Sequence, residues 1–359
     1  MLINKDKLIN NEFERHVNLM VKTLVSNIQG IDSIILYGSY GRGEGAWIKS
    51  NGSYNPYNDY DVLIVLIDKA KKPKNISSIK EDLLKKINIK WIDLSFIHLT
   101  SLLKNKSKSI FQYDLIHGSK VIFGNFNLLK KIPKFNSSEI NLNEGKLLFY
   151  TRLWPFVGGA KLANDLHPSE ARFFRYQMAK VILASLDMML LMRGLYESSY
   201  VKRCDIATLI CEHENLLDKG LFLWAIEQKL NPSNDIMDKN QVIKLQSKVA
   251  QLFSQYGLKI LSKRYNKKFT SVEDFERFYA NSIVEKFKIF AGFVLRKKIN
   301  YKKIRIFNMI QMLVLSNILG EIHLDHTLYE SNKLLRILGF STISDLNTLR
   351  ELIASERLI

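Results

Sequence analysis

The spacing of apolar residues changes character near position 125 of this 359-residue chain. Before that point, apolar side chains recur at helical spacing over residues 6–29, which predicts an amphipathic helix. Residues 62–67 are apolar at every position, a pattern typical of a central strand buried on both faces. Residues 48–58 are rich in Asn, Ser, Gly, Tyr and Pro, so we expect a loop there. Strands are predicted at 31–37, 59–68, 90–98 and 120–123, with a second helix at 79–87.

After position 125 we expect a polar linker over 125–140, and helical periodicity dominates the rest of the chain. Helices are predicted at 141–153, 169–194, 201–213, 240–265, 272–297, 299–318 and 342–356. The sequence therefore predicts an α+β fold. In that fold, a small mixed-sheet domain at 1–125 is followed by an all-helical domain at 126–359.

The charge balance is strongly basic, with 53 Lys and Arg against 35 Asp and Glu and a formal net charge of +18. Such an excess favours polyanionic partners: nucleotides, RNA, DNA or an acidic surface. The alternative is that part of the lysine excess reflects only composition and solubility. Apolar residues make up 47% of the chain, which is enough to build real cores.

Cysteine content and hydropathy indicate the cellular compartment of the protein. Cys204 and Cys211 are the two cysteines of the sequence, and two thiols form neither a disulfide framework nor a zinc site. The most apolar run, residues 181–192, is too short to span a bilayer and contains Asp187. Residues 1–7 lack the apolar segment of a signal peptide. We therefore expect a reducing, cytoplasmic compartment and no membrane partner.

Gly38 and Ser39 lie at a predicted turn from a strand into a helix. A helix N-terminus offers unpaired N–H groups that can hold phosphate oxygens. The glycine lets the backbone approach a ligand, and the serine hydroxyl adds a donor. Glycine-rich turns before helices are common, so this motif alone is a weak signal.

Asp59 and Asp61 stand at the start of a predicted central strand, two residues apart, so both carboxylates project from one face. Neighbouring carboxylates repel each other unless a cation neutralises them, and Mg²⁺ (or Mn²⁺) also binds phosphates. The alternative is that Asp59 caps the preceding turn while Asp61 is solvated. Asp93 lies on the polar face of another predicted strand, whose opposite face is apolar. Three carboxylates opposite a phosphate-binding turn predict a phosphoryl-transfer site with two metal ions.

These motifs resemble the signature of the DNA polymerase β-like nucleotidyltransferase superfamily. The resemblance rests on residues 36–44 (LYGSYGRGE) and 58–65 (NDYDVLIV), and residues 91–94 (WIDL) are similar to the segment with the family's third carboxylate. The Gly-Arg-Gly-Glu stretch is also similar to the adenylyl- and uridylyltransferases of bacterial nitrogen regulation. The resemblance covers about the first 125 residues. The chain departs from the family in a longer segment between the Gly-Ser and Asp-x-Asp motifs.

The resemblance implies a role for each of these residues. Gly38 and Ser39 are expected to hold the triphosphate, and Asp59 and Asp61 to bind the metal ions. Asp93 is expected to complete the site and to help deprotonate the acceptor. In similar enzymes a helical domain closes the nucleotide cleft, so residues 126–359 are expected to close the cleft and to bind the acceptor.

Several basic residues are weaker candidates for phosphate binding. We assign Arg42 to the γ-phosphate of the nucleotide, with an exposed ion pair between Arg42 and Glu44 as the alternative. The other candidates are either phosphate or base contacts or, as is commoner, parts of solvated helix faces. They are Arg172, Arg175 and Lys180 on one predicted helix, and residues 200–203 (YVKR).

Residues 251–310 carry 14 Lys and Arg against 4 Asp and Glu, with aromatic residues between them. The pattern suits an RNA-binding face. It suits equally an amphipathic helix pair with buried aromatic residues and solvated lysines, which is the commoner arrangement. Residues 323–326 (HLDH) lack the further ligands that a metal site needs, so we interpret them as a polar loop.

Together these observations predict a nucleotidyltransferase that moves an NMP from an NTP to a hydroxyl acceptor with release of pyrophosphate. The expected cofactor is Mg²⁺ or Mn²⁺ at two ions per site, and the expected partners are an NTP and an acceptor. That acceptor is a small molecule, a protein or an RNA. One alternative is a catalytically silent nucleotide-binding or antitoxin-type regulatory protein, and another is an RNA-directed nucleotidyltransferase.

Overall fold

The computed structural model describes residues 7–50, 53–89, 91–158, 166–214, 216, 218–282 and 301–356. The chain divides into two compact units. The first comprises Met1–Asn141, Arg193–Ile210 and Lys229–Pro232, and the second comprises Leu142–Met192, Cys211–Gln228 and Ser233–Ile359. The predicted division between residues 125 and 126 falls inside the first unit, which also takes two short segments from later in the chain.

A mixed β-sheet forms the centre of the first unit. Its described strands are β1 (Ile31–Tyr37), β2 (Trp47–Ser50), β3 (Ser53–Pro56), β4 (Tyr60–Leu66), β5 (Ile92–His98) and β6 (Lys120–Gly124). Four of them form one sheet in the order β5-β4-β1-β6. β1 pairs antiparallel with β4 and β6, whereas β4 and β5 run parallel. The predicted α+β class, with a small mixed sheet before a helical region, is confirmed.

Helices cover both faces of this sheet. Those of the first 141 residues are α1 (Lys7–Asn27), α2 (Gly38–Gly41), α3 (Ile76–Ile87), α4 (Leu99–Leu103), α5 (Ile110–His117) and α6 (Leu128–Lys131). On one face, Phe13 of α1 and Leu83 of α3 share a core with Ile64 of β4. On the other face, Leu102 of α4 and Leu115 of α5 belong to a second core, which includes Ile35, Leu63 and Val65.

The central strand β4 is buried along nearly its whole length, as its apolar sequence predicts. Val62, Ile64 and Leu66 face one core, and Leu63 and Val65 face the other. The prediction fails only at its end, because Ile67 lies beyond the strand and is 48% exposed. Successive residues of β4 thus contribute to two separate cores, one on each face of the sheet.

The loop predicted at 48–58 is wrong, because most of this segment forms a β-hairpin. β2 and β3 pair antiparallel, with Ile48 opposite Asn55. Backbone hydrogen bonds hold such a ribbon together, so polar side chains do not exclude it. Trp47 anchors it, with its ring 6.0 Å from the His16 ring and 5.8 Å from the Tyr40 ring.

Helices make up the described part of the remaining chain. They are α7 (Asn143–Gly158), α8 (Pro168–Arg193), α9 (Tyr200–His213), α10 (Lys219–Leu230), α11 (Lys239–Tyr265), α12 (Val272–Asn281), α13 (Tyr301–Ile318), α14 (Leu324–Ile337) and α15 (Leu346–Ser355). α8 is buried at nearly every position from its middle onward. None of the described helices is both long and apolar enough to cross a membrane.

Several helix predictions need correction. The helix predicted at 272–297 ends as α12 at Asn281, because Ser282 is extended, and residues 283–300 lie outside the described part. The helix predicted at 342–356 starts later, where the Asp345 side chain accepts a hydrogen bond from the Thr348 N–H. The predicted linker contains α6 and a short 3-10 turn at Ser137–Glu139. α4, α5, α10 and α14 were not predicted.

The aromatic residues of the predicted basic segment form a core where the structure describes them. Phe269, Phe275 and Tyr279 are buried, and the Phe269 and Phe275 rings lie 4.9 Å apart. This arrangement supports an amphipathic helical region with buried aromatic residues for that part of 251–310. The rest of the predicted RNA-binding face, at 283–300, lies outside the described residues.

Candidate metal-binding carboxylate site

The three predicted carboxylates lie together at one end of the sheet. In the parallel pair of β4 and β5, Asp61 stands directly opposite Asp93. Asp59 immediately precedes β4, so its side chain reaches the same face. One ligand atom from each of the three lies within 4.8 Å of the others. Among the described residues, this is the group of acidic and metal-ligating side chains whose spacing suits a cation.

The environment of Asp61 disfavours its charged form. Burial, together with the charges of Asp59 and Asp93, raises the pKa of Asp61 from 3.8 to about 7. The positive charges of Lys229 and Arg42 act in the opposite direction. The alternative in which Asp61 is simply solvated is therefore wrong. A cation between the carboxylates would remove the repulsion that contributes to this raised pKa.

Gly38 follows β1 and lies against Asp61. Its backbone is left-handed, with φ of +66°, which favours glycine. A Cβ atom placed on Gly38 would lie 2.0 Å from Oδ2 of Asp61, far inside van der Waals contact. Two features therefore require glycine at this position: the left-handed backbone, and the carboxylate of Asp61, which occupies the space that a side chain would need.

Asp93 is the more accessible partner of the pair, with 48% of its side chain exposed. The Trp91 indole N–H donates to its Oδ1 at 3.0 Å, and the Lys80 ammonium lies 3.8 Å from the same oxygen. Lys80 also lies 4.1 Å from the centre of the Trp91 ring. The described contacts of Asp93 are thus made by Oδ1.

Tyr60, between Asp59 and Asp61, is anchored on the opposite face of the sheet. Its hydroxyl lies 3.0 Å from Nδ1 of His16, and Nε2 of His16 lies 3.1 Å from a Glu12 carboxylate oxygen. Burial lowers the pKa of His16 to about 4, so the ring is neutral at pH 7. Nη2 of Arg15 also lies 3.0 Å from Nε2 of His16, and a neutral ring carries a proton on one nitrogen and accepts on the other. This chain of contacts holds the Asp-x-Asp backbone from behind.

The structure places Ser39 beside the carboxylates but deeper than the sequence suggests. Ser39 is buried in the four-residue helix α2, and its hydroxyl accepts a hydrogen bond from the Asn58 side chain at 3.4 Å. A hydroxyl that accepts one hydrogen bond still has its own proton to donate. The hydroxyl proton of Ser39 is thus not used in the hydrogen bond with Asn58.

The alternative of an exposed Arg42–Glu44 pair is wrong, because both side chains are buried. Nε of Arg42 lies 3.2 Å from Glu44, and its Nη1 lies 3.4 Å from Asp114, a residue that sequence reasoning missed. The guanidinium also stacks on the Tyr200 ring at 4.8 Å. Arg42 is therefore held in a fixed position in the first unit, with its charge paired to two carboxylates.

Glu44 ties the start of α9 to the sheet end. One of its carboxylate oxygens accepts from the Ser199 hydroxyl at 2.6 Å, and the other from the Tyr200 N–H at 3.0 Å. Asp114 makes a second tie, accepting from the Tyr196 hydroxyl at 3.1 Å, and Arg203 donates to that same hydroxyl at 2.7 Å. These contacts explain why residues 193–210 belong to the first unit. In sequence, their partners are too far apart to be paired by spacing.

Lys229 is a further site residue that sequence reasoning missed. It is buried near the end of α10, it lowers the pKa of Asp61 by its charge, and it lies 5.7 Å from the Tyr200 ring. After its first two residues, α10 has a run of apolar residues without a polar face. Its sequence therefore lacks the alternation of apolar and polar positions that predicts a helix. With Arg42, this lysine brings a second positive charge near the carboxylates.

Other candidates lie elsewhere. Arg175 is in the second unit, where it donates to the backbone carbonyls of Asp235 and Ile236. Arg172 and Lys180 lie on the same helix, α8, also in the second unit. The loop predicted at 323–326 is wrong, because this segment starts α14 with His323 as its N-terminal cap residue.

Two observations show that the residues present suit a divalent cation. Three oxygen donors converge at a spacing that one or two ions can bridge, and oxygen is the ligand that Mg²⁺ prefers. The absence of a side chain at Gly38 lets the Asp61 carboxylate lie against this backbone, where a Cβ would be 2.0 Å from its Oδ2. The predicted ligands Asp59, Asp61 and Asp93 are therefore suited to a metal centre.

Replacing Gly38 by Ala should displace the Asp61 carboxylate and weaken Mn²⁺ binding by at least about tenfold, as loss of a supporting contact does at metal sites. Gly320→Ala is the matched control, because Gly320 is also left-handed, with φ of +75°, but has no heavy atom within 4 Å of the position that a Cβ would take. It should lose only about 1 kcal/mol of stability. Mn²⁺ titration followed by electron paramagnetic resonance gives the affinities. Wild-type affinity in Gly38→Ala would contradict the geometry.

Replacing Asp61 by Asn should stabilise the metal-free protein at pH 8. A raised pKa means that the folded state holds the proton more tightly than the unfolded chain, so wild-type stability falls as pH rises from about 4 to about 7. The variant does not lose stability in this way. Its stability relative to wild type should therefore decrease as pH falls from about 7 to about 4. Thermal unfolding in EDTA from pH 4 to pH 8 measures this difference in stability. Asp82→Asn is the control, because Asp82 forms an exposed ion pair with Lys86. A variant less stable than wild type at pH 8 contradicts the expectation.

No family model matches the chain, and no curated protein matches it. A solved structure of a toxin–antitoxin with AMP-PNP is similar at 21% identity, over 32% of this chain and 77% of that chain, with a TM-score of 0.23. A likeness at this TM-score carries no argument about activity, so the functional inference rests on the geometry of the site.

Proposed function

We propose that the chain is a metal-dependent nucleotidyltransferase, which transfers an NMP from an NTP to a hydroxyl group of an acceptor. The observation that supports it most is the convergence of Asp59, Asp61 and Asp93 on one point beside Gly38. A structural role does not account for three mutually repelling acids, one of them partly buried at a cost to its charged form. A cation-dependent reaction accounts for all of them.

Asp59, Asp61 and Asp93 would hold one or two Mg²⁺ or Mn²⁺ ions. When bound, such ions neutralise the carboxylates, hold triphosphate oxygens and lower the pKa of the acceptor hydroxyl. The chain's own part is to keep the three side chains converged. The strand pairing of Asp61 with Asp93 and the anchor of Tyr60 on His16 provide this.

The nucleotide would be held by neutral donors and fixed positive charges. Gly38 allows close approach of the backbone, and Ser39 offers its hydroxyl proton to a phosphate oxygen. Arg42 and Lys229 place two positive charges near Asp61, and both are buried, where charge acts more strongly than in water. Fixed charges of this kind stabilise the negative charge of a triphosphate without reorganisation.

The acceptor would approach Asp93, which is half exposed. Because Trp91 and Lys80 contact Oδ1 of Asp93, we assign the proton of the acceptor hydroxyl to Oδ2. The hydroxyl oxygen then forms a bond to the α-phosphorus of the NTP. The bond from that phosphorus to the oxygen bridging to the β-phosphate breaks, and pyrophosphate leaves.

Incubation of the purified protein with each α-³²P-labelled NTP, Mg²⁺ or Mn²⁺ and cell extract should produce a labelled acceptor and pyrophosphate. Asp61→Asn and Asp93→Asn should lower the rate by at least about a hundredfold, because each removes an electrostatic element of the site. Asp82→Asn is the matched control, since Asp82 forms an exposed ion pair with Lys86. This control should label its acceptor at the wild-type rate.

Two outcomes would contradict the proposal. Wild-type turnover in Asp61→Asn would show that the carboxylates do not support the reaction. Tight NTP binding with no transfer to any component would instead indicate the catalytically silent nucleotide-binding or antitoxin-type protein. The chemical nature of the labelled species then assigns the acceptor as small molecule, protein or RNA.

A further inference from the structure

A cavity of about 670 Å³ opens within the second unit, and its lining includes none of the three carboxylates of the first unit. Its walls are the start of α10, the first half of α11 and residues 235–237, with Arg175 of α8 behind them. Ligand pockets in proteins typically measure about 300 to 1,000 Å³. We call this cavity the Trp224 groove, and its main lining residues are Arg175, Leu221, Trp224, Ile236, Lys244 and Lys248.

The apolar part of the Trp224 groove suits a flat ligand. Trp224 and Leu221 are partly exposed within it, and Ile236 on the rim is 67% exposed. Beside them, Gly220 has no heavy atom within 4 Å of the position where a Cβ would stand, so the space above it is open. An indole next to open space can stack on a planar ring.

The charged part of the groove is positive. Lys244 and Lys248 stand one turn apart on α11, so both reach the same side of the groove. Arg175 is only 8% exposed, and its guanidinium donates to the neutral carbonyl oxygens of Asp235 and Ile236. Burial lowers the pKa of Arg175, and the charge of Asp235 opposes this.

Asp235 is the acidic residue in the lining, and its carboxylate accepts a hydrogen bond from the Ser233 hydroxyl. Three cations therefore face one carboxylate in this groove. A buried guanidinium that is bound only to neutral oxygens is stabilised by a nearby anion, because its charge is poorly solvated. The groove thus favours an anionic ligand over a neutral or cationic one.

We propose that the Trp224 groove binds a nucleoside phosphate, with its base on Trp224 and its phosphates beside Lys244 and Lys248. The combination of a stackable indole, an open wall and a positive rim matches a planar base joined to an anionic group. This site does not depend on the proposed function, since the residues that line it are all in the second unit.

Binding of ATP, AMP and adenosine to the full chain in EDTA, measured by isothermal titration calorimetry, tests the proposal. EDTA removes the metal ions on which triphosphate binding at the carboxylate cluster would depend. Wild type should bind ATP more tightly than adenosine. The double variant Lys244→Gln with Lys248→Gln should bind ATP about tenfold more weakly, because two charge-assisted contacts are lost.

Matched controls separate specific binding from general charge effects. The double variant Lys259→Gln with Lys263→Gln has the same spacing, helix and charge change, and both lysines are exposed outside the groove. It should bind ATP like wild type. Trp224→Ala should weaken both ATP and adenosine, whereas Phe173→Ala, which removes an aromatic residue that is also exposed, should weaken neither.

Equal loss of ATP binding in the two double lysine variants, or no ATP binding to wild type in EDTA, would overturn the proposal. Asp61→Asn should leave binding in EDTA unchanged, so this result is separable from the fate of the proposed function. If Asp61→Asn changes the affinity for ATP in EDTA, the nucleotide occupies the carboxylate cluster and the assignment of the groove is wrong.

Discussion

Electrostatic repulsion among three carboxylates is the constraint around which the first unit is arranged. Isolated in water, such groups move apart, but Asp61 and Asp93 are fixed opposite each other by the pairing of β4 with β5. That register is fixed in turn by apolar residues of β4, which alternate between two cores. A slip of one residue would turn Asp61 to the other face of the sheet, away from Asp93. Hydrophobic burial thus holds together charges that repel.

The surroundings of the cluster partly offset this repulsion. Lys229 and Arg42 lower the pKa of Asp61, and Lys80 contacts Asp93. Arg42 is in turn held by Glu44 and Asp114, so its buried charge is paired and its position is fixed. Residues 193–210 and 229–232 belong to the same compact unit as the sheet, although they follow it by many positions in sequence. The site is thus assembled from more of the chain than its sequence motifs cover.

The spacing of apolar and polar residues predicted those features that depend on neighbouring residues in the sequence. The apolar run of β4 and the alternation of β5 gave the strands, and their spacing brought Asp59, Asp61 and Asp93 to one face. The β2–β3 hairpin was missed because backbone pairing, rather than side-chain periodicity, forms it. α10 was missed because its apolar run shows no helical period. Lys229 was missed for the same reason, because it lies on this helix. Asp114 was missed because its partners are fixed by packing between distant segments. Such contacts leave no mark in a single sequence.

The metal ion is the central claim, and anomalous diffraction tests it most directly. Crystals grown with Mn²⁺ and an NTP analogue that cannot be cleaved at the α-phosphate should show an anomalous peak within coordination distance of Asp59, Asp61 and Asp93. The triphosphate should lie beside Gly38 and Ser39. A Mn²⁺ peak elsewhere, or a nucleotide bound with no peak between these carboxylates, would contradict the account.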